Sequence, residues 1–355
     1  MGKHQQIVIV GAGHNGLIAA CYLAKAGRDV LVVEQSPEPG GGSRTEERIP
    51  GYRFDTHSIA HNMIHMTDIL ADLDLASAGL EYTEMNPFSV AIRADGRTVR
   101  FSRSVEATVA SIAESDQQEA DAYAAFMEVA IPVVQAVVPT IRGELGVSEF
   151  PKRVFNALKV LRLGPAEIIR DLLSPYDSLL KRWLHSDLTR GPISAFAAHA
   201  NVGPNVPGGA LFAFWQAVYH LFRQWHAKGG SGTLTSALVC RLHSYGGQLR
   251  CSAPVVRINA TGGKVRSVVL ENGESIEAEA VITAIDPKVA LLTLLDPPLG
   301  GQPGAALTAA RRSNVVQSLV HVAVDRLHAI PGRLASGAKL VSTPWLHSRQ
   351  HRPGT

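Results

Sequence analysis

Cysteine is scarce in this chain of 355 residues, with only Cys21, Cys240 and Cys251 present. They show no C-x-x-C spacing and cannot all pair, which excludes a disulfide framework and suits a reducing compartment. Charge is scarce too: 18% of residues are charged, the net charge is +3, and the basic residues are dispersed without a Lys/Arg block. Nucleic acid is therefore not an expected partner. Long apolar runs are missing. Val129 to Val138, the longest worth testing as a span, contains Pro132 and Gln135 and falls well short of the ~20 residues that crossing a bilayer requires. No G-x-S-x-G elbow stands between a strand and a helix, which disfavours a serine hydrolase. The first apolar strand begins so near Met1 that a cleavable leader has no room, and Met1-Gly2-Lys3 lacks the Ser or Thr at position six that myristoylation prefers, so a cytoplasmic protein is expected.

What is present is apolar: 46% hydrophobic residues over this length suffice for two domains with substantial cores. Gln5 to Val10, apolar from Ile7 onward, is a run of the kind that forms a buried parallel strand. It leads into Gly11-Ala12-Gly13-His14-Asn15-Gly16, which fits G-x-G-x-x-G, then an Ala/Leu-rich helix over Leu17 to Ala26 stopped by Gly27, then a second apolar strand, Val30 to Val33, closed by Glu34. Gly11 permits the tight turn, Gly13 lets a pyrophosphate approach bare backbone at a positive helix N-terminus, and Gly16 lets the helix pack on the strands. Glu34 lies 23 positions after Gly11, where a carboxylate can accept both hydroxyls of an adenosine ribose and would repel a 2′-phosphate. A lone glycine triplet is a weak signal, but strand, triplet, helix, strand and acid in this order point to a dinucleotide.

A second glycine turn, Gly40-Gly41-Gly42, follows Glu34 and is not part of a plain nicotinamide fingerprint. With it the chain resembles the phytoene-desaturase-like FAD oxidoreductases, closest to their pyridine nucleotide-disulfide oxidoreductase domain 2 branch. The residues carrying the resemblance are Gly11 to Leu17, Glu34, Gly40-Gly41, Thr45-Glu46-Glu47 and Pro50-Gly51-Tyr52-Arg53-Phe54-Asp55. It covers most of residues 5 to 325, strongest over 5 to 55 and 229 to 290. It implies an α/β fold: a Rossmann-like FAD-binding domain, with a parallel sheet and a small antiparallel meander, interrupted by a mixed α+β substrate domain. The implied organisation is residues 1–85 and 229–300 for FAD, 86–228 for the substrate domain, and 301–355 as an incomplete second substrate segment with an irregular tail. FAD would be held by Gly11, Gly13, Gly16, Glu34, Gly40 and Gly41, and by Val255, whose counterpart in related flavoenzymes meets the adenine through its backbone. The implied reaction is hydride transfer between flavin and an apolar, polyene-like small molecule. No side chain can be named as catalytic.

Two departures accompany the resemblance. Related flavoenzymes often place an arginine directly after the glycine pair, where Gly42 stands, and Arg44 replaces it only where the backbone aims it suitably. Nothing in Pro344 to Thr355 resembles the family's C-terminal flavin-facing stretch, so a C-terminally truncated member is expected. The alternatives are a truncated, non-catalytic nucleotide-binding remnant and a nicotinamide-only dehydrogenase, against which the Gly40-Gly41 turn argues.

Further along, His57, His61 and His65 recur every fourth residue and share a face if helical, as a metal site or proton relay would need. Ser58 stands where zinc pairs usually carry a Glu, so a polar face without ligand duty and no metal is the favoured reading. Residues 88–101 read as a hairpin around Asp95-Gly96. Ser115 and Gln118 fit a capping box for a helix that Pro132 ends or kinks. Val154, Phe155, Leu158 and Leu161 form a stripe flanked by Lys152, Arg153, Lys159 and Arg162; peripheral membrane contact there is the minor reading beside a solvated face over a core. The aromatics from Phe212 to Trp225 suit an apolar tunnel or ordinary packing. After Gly229 come a helix, a strand from Gln248 to Ile258, a meander from Lys264 to Glu279, a returning strand Ala280 to Ala284, a helix capped by Asp286-Pro287, and a strand over Val315 to Asp325.

Overall fold

Strand β1 (Gln5–Val10) has neighbours on both sides, and each of its faces lies on a separate core. In this computed structural model residues 5–93, 95–141, 170–171, 173–200, 202–312 and 319–324 are described. The remaining strands are β2 (Val30–Val33), β3 (Thr45–Ile49), β4 (Tyr52–Asp55), β5 (Tyr82–Glu84), β6 (Ser89–Ile92), β7 (Thr98–Phe101), β8 (Trp225–Ala227), β9 (Gln248–Arg250), β10 (Val255–Thr261), β11 (Lys264–Leu270), β12 (Ser275–Thr283) and β13 (Leu295–Asp296). Seven of them form one sheet in the order β13-β10-β11-β12-β1-β2-β9. The expected α/β class is observed.

Period-two geometry explains the two cores. Ile7 and Ile9 of β1, with Val30 and Val32 of β2, face helix α1 (His14–Lys25) and a second helix, Gly232–Ser244, through Leu17, Ala20, Ala24, Leu234, Ala237 and Leu238. Val8 and Val10, with Leu31 and Val33, face the other way onto Ala253, Val268, Leu270, Ile276 and Ala278. Burial of each such aliphatic side chain contributes roughly 1.5–3 kcal/mol, and a one-residue slip of β1 would exchange its two faces. Cys21 lies in the α1 core, where burial pushes its thiol up to about 12 and leaves it a small hydrophobe.

Two expectations change here. The last strand of the meander and the returning strand are one element, because β12 pairs antiparallel with β11 (Ser267 opposite Glu277) and then parallel with β1 (Ile7 opposite Ala280). The strand expected over Gln248 to Ile258 is two: β9 adds to β2 and β10 adds to β11. Ser252, with φ of 50°, turns the chain between them, and Ala253 N donates to Glu34 O at 2.8 Å.

A third core gathers Phe101, Ile112, Tyr123, Phe126, Met127, Leu179, Phe214 and Val218. The β6–β7 hairpin forms over the expected residues. The long helix, Gln117–Ile141, differs from expectation at both points. Asp116 caps it, accepting from Glu119 N at 3.0 Å, while Ser115 Oγ donates back to Ile112 O. It also runs on through Pro132 and Pro139, because Ala130, Val133, Val134 and Val138 remain buried across the missing N–H groups. Among the described residues its Gln117–Pro139 part is the one stretch long and apolar enough to cross a membrane, and here Tyr123, Phe126, Met127 and Ala130 of that stretch are buried in the core. Phe214 and Tyr219 are buried in the same core, and Phe212, Trp215 and Phe222 pack on it.

The basic stripe of residues 152–162 lies outside the described residues. Of the strand expected over Val315 to Asp325, residues 319–324 carry no strand and the rest lie outside the described residues. Asp286 caps as expected, accepting from Lys288 N and Val289 N, but the turn it opens is a π-helix, Val289–Leu294.

Candidate cofactor site

The end of β1 and the start of α1 fold back so tightly that a Cβ on Gly16 would stand 2.1 Å from Gly11 O. Gly11 itself has φ of +102°, and a Cβ there would meet Ile285 Cγ2 at 2.8 Å. Gly13 behaves differently. It precedes the first turn of α1 with an extended backbone, and a Cβ there would meet nothing within 4 Å. Helix α1 has no acidic residue in its first turn and no side-chain cap, so its leading N–H groups keep their capacity for an anion.

The second glycine turn closes against the first. Gly40 N donates to Ala12 O at 2.8 Å, Gly13 and Gly40 form a parallel bridge, and a Cβ on Gly41 would lie 3.3 Å from Gly13 Cα. Gly40, at φ of +121°, has Arg44 Cγ and Thr235 Oγ1 within 3 Å of its missing Cβ. Six of the seven sequence-derived residues therefore meet in one place, because Glu34 also reaches the first turn. Its Oε2 accepts from Ala12 N at 2.8 Å and its Oε1 from Ser36 N at 2.9 Å. A carboxylate oxygen has two lone pairs, so each retains capacity for a ribose hydroxyl. Val255 starts β10, two residues after the Ala253 N–Glu34 O bond that ties this strand to the loop following β2. The residues present fit a dinucleotide, which Gly13 and the α1 terminus would hold by its diphosphate and Glu34 and Val255 by its adenosine.

Arg44 does not extend freely into the position vacated at Gly42. Its Nη2 pairs with Glu46 at 2.7 Å, and its Nε is buried with no hydrogen-bond partner.

Behind the second turn lies a buried polar layer. Thr45 Oγ1 donates to Asp55 Oδ1 at 2.6 Å, Ser231 N donates to the same oxygen at 2.8 Å, and Gly232 N donates to Thr45 Oγ1 at 2.8 Å. Thr235 Oγ1 donates to Ser43 O at 2.7 Å. Gly230 permits this approach, since its Cβ would fall 2.2 Å from Thr45 Oγ1. Thr45 and Asp55 carried the resemblance in the sequence, as did the Gly229–Gly232 turn, but that the two meet across this separation was not legible.

The three histidines do not share a helical face: residues 57–62 are irregular and only Met63–Met66 forms a 3₁₀ turn. His57 is exposed, His61 is buried, and His65 stacks on Trp225 with ring centroids 4.7 Å apart. Burial lowers both His61 and His65 to about 4, and it lowers His14, at the start of α1, as well.

The family model for flavin containing amine oxidoreductases matches residues 16–339. The chain belongs to this family. Among curated relatives, the chain is 25% identical over 350 residues to the pyridine nucleotide-disulfide oxidoreductase domain-containing protein 2 of Rattus norvegicus, covering 90% of this chain and 60% of the relative. It is 26% identical to the hydroxyneurosporene desaturase of Cereibacter sphaeroides, covering 81% of this chain and 57% of the relative. The chain thus spans about 60% of the length of the curated relatives it matches. A solved putrescine oxidase variant, from work on redesigned cofactor binding, shares the fold with a TM-score of 0.58 at 19% identity, covering 86% of this chain and 63% of that one. The expected cofactor, FAD, agrees with membership of the flavin containing amine oxidoreductases.

Proposed function

We propose that the chain binds FAD through Gly11, Gly13, Gly16, Glu34, Gly40, Gly41 and Val255 and acts as an FAD-dependent oxidoreductase of the dehydrogenase or desaturase type on an apolar small molecule. One observation carries the reading: the two glycine turns touch at the uncapped start of α1, with the Glu34 carboxylate bonded to the first of them. Bound flavin supplies an acceptor and donor of hydride at its N5 position. The chain's own residues bind and orient. Gly13 admits a diphosphate oxygen to bare backbone, the α1 terminus offsets its charge, and Glu34 selects an unphosphorylated ribose. An apolar substrate is supported by the desaturases among the relatives.

The experiment is a titration of the purified chain with FAD, read by visible absorbance and by chromatography of the cofactor released on denaturation. FAD at one per chain supports the reading. Protein that stays colourless under saturating FAD, or that takes NADH alone, sinks it. Anaerobic bleaching of bound flavin by a polyene, compared with an amine, then separates the substrate classes.

A further inference from the structure

Among the residues behind the second glycine turn, one side chain bonds on two opposite sides. His61 Nδ1 lies 2.8 Å from Tyr82 Oη on β5, and His61 Nε2 lies 3.0 Å from Ser231 Oγ in the turn that opens the Gly232–Ser244 helix. The protons in this chain can be assigned. Ser231 Oγ donates its only hydrogen to Ser58 O, so toward His61 it can only accept. His61 therefore carries its hydrogen on Nε2. A neutral ring then leaves Nδ1 as an acceptor, and the Tyr82 hydroxyl donates to it. Neutrality follows from burial, since His61 is 7% exposed and Ser231 is 0% exposed.

We propose that His61, fixed as the Nε2–H tautomer between Tyr82 and Ser231, is a positioning residue that sets the Gly230–Gly232 turn and, through Asp55 and Thr45, the second glycine turn. The inference rests on the FAD reading for its consequence in binding but not for its geometry. The path is short. Ser231 receives the His61 hydrogen on its side chain while its own N–H holds Asp55, and the next N–H, that of Gly232, holds Thr45, which is close to the Gly40–Gly42 turn in sequence. Gly230 leaves no room for a Cβ beside Thr45 and Asp55, so a displacement of Ser231 acts on both through these two bonds. His61 N also donates to Trp225 O at 2.9 Å, which anchors the backbone whatever the side chain does.

Two substitutions separate positioning from mere space filling. His61→Gln places an amide donor near the Nε2 position, whereas His61→Asn places an amide oxygen near Nδ1 and leaves Ser231 without its donor. Two readouts are compared: deuterium uptake of the peptide spanning residues 40–47 in flavin-free protein, and the FAD dissociation constant. Faster uptake and FAD binding weakened about tenfold are expected in His61→Asn, with His61→Gln close to wild type, as loss of one buried hydrogen bond predicts. Equal behaviour of the two variants in the exchange readout overturns the proposal. If wild-type protein takes up no FAD, the FAD reading fails by itself and the exchange comparison still decides the positioning role.

Discussion

Glu34 holds Ala12. The carboxylate at the end of β2 accepts the N–H of the residue between the first two glycines of the opening turn, at 2.8 Å, with Ser36 N on its other oxygen. The acid proposed to select the ribose thus also braces the first glycine turn. Glu34→Gln presents an amide donor to one of these two N–H groups, and Glu34→Ala removes both acceptors. Each charge-assisted bond is worth about 1.5–3 kcal/mol, so FAD titrations should show binding weakened by at least tenfold in Glu34→Gln and more in Glu34→Ala. Unchanged affinity in both would mean that Glu34 meets neither the ribose nor the turn.

Gly13 and Gly16 have opposite surroundings, and alanine at each should fail differently. Gly16→Ala drives a methyl into Gly11 O and is expected to destabilise by about 1–3 kcal/mol or more, seen as a lower unfolding temperature with or without FAD. Gly13→Ala meets open space. Its flavin-free protein should melt like wild type, while FAD affinity drops because the methyl occupies the approach to the α1 terminus.

Acid should destabilise the fold through His61. Its ring titrates at about 4, below the usual value for histidine, so the unfolded chain takes up a proton first. Stability from this group is complete above about pH 6.5 and is lost as pH falls from there through 4, to a maximum of about 3 kcal/mol. Urea midpoints measured across this window should fall more steeply for wild type than for His61→Gln. Parallel curves would assign the acid sensitivity to other groups.

The Gln117–Ile141 helix is held by packing rather than by its termini. Phe126 is fully buried and stacks on Phe214 with ring centroids 5.7 Å apart. Phe126→Ala should cost about 3–5 kcal/mol, whereas Asp116→Ala, which removes a cap, should cost about 1 kcal/mol. Chemical denaturation of both variants gives the ratio directly.

The first 45 residues were legible because their constraints are local. Apolar runs of the right length, glycines at fixed offsets and one acid are all written within one βαβ unit, and FAD follows from the extra turn at Gly40-Gly41. Less legible was anything that depends on distant partners. β12 reads as two strands because its sequence cannot show that its first half pairs with β11 and its second with β1. Pro132 reads as a stop because propensity is local, while what carries the helix past it is the burial of Val133, Val134 and Val138 in a core built from distant segments. The histidine spacing suggested a helix, but His61 instead bonds to Tyr82 and Ser231 from an irregular segment.

The place of β1 in the sheet also bears on how the protein is made. Its neighbour β2 follows within a few tens of residues, but its other neighbour, β12, ends at Thr283, 273 positions after Val10. At about 5–20 residues per second, the ribosome delivers that partner roughly 14–55 s later. During that interval the nascent βαβ unit lacks the β12 partner of β1, and until residues 248–250 follow it lacks the β9 partner of β2 as well, so it has bare edges and an uncovered Val8 and Val10 face. Nascent chains stalled before residue 275 are expected to bind an Hsp70-type chaperone more than chains in which residue 283 has emerged, and equal binding would overturn this expectation.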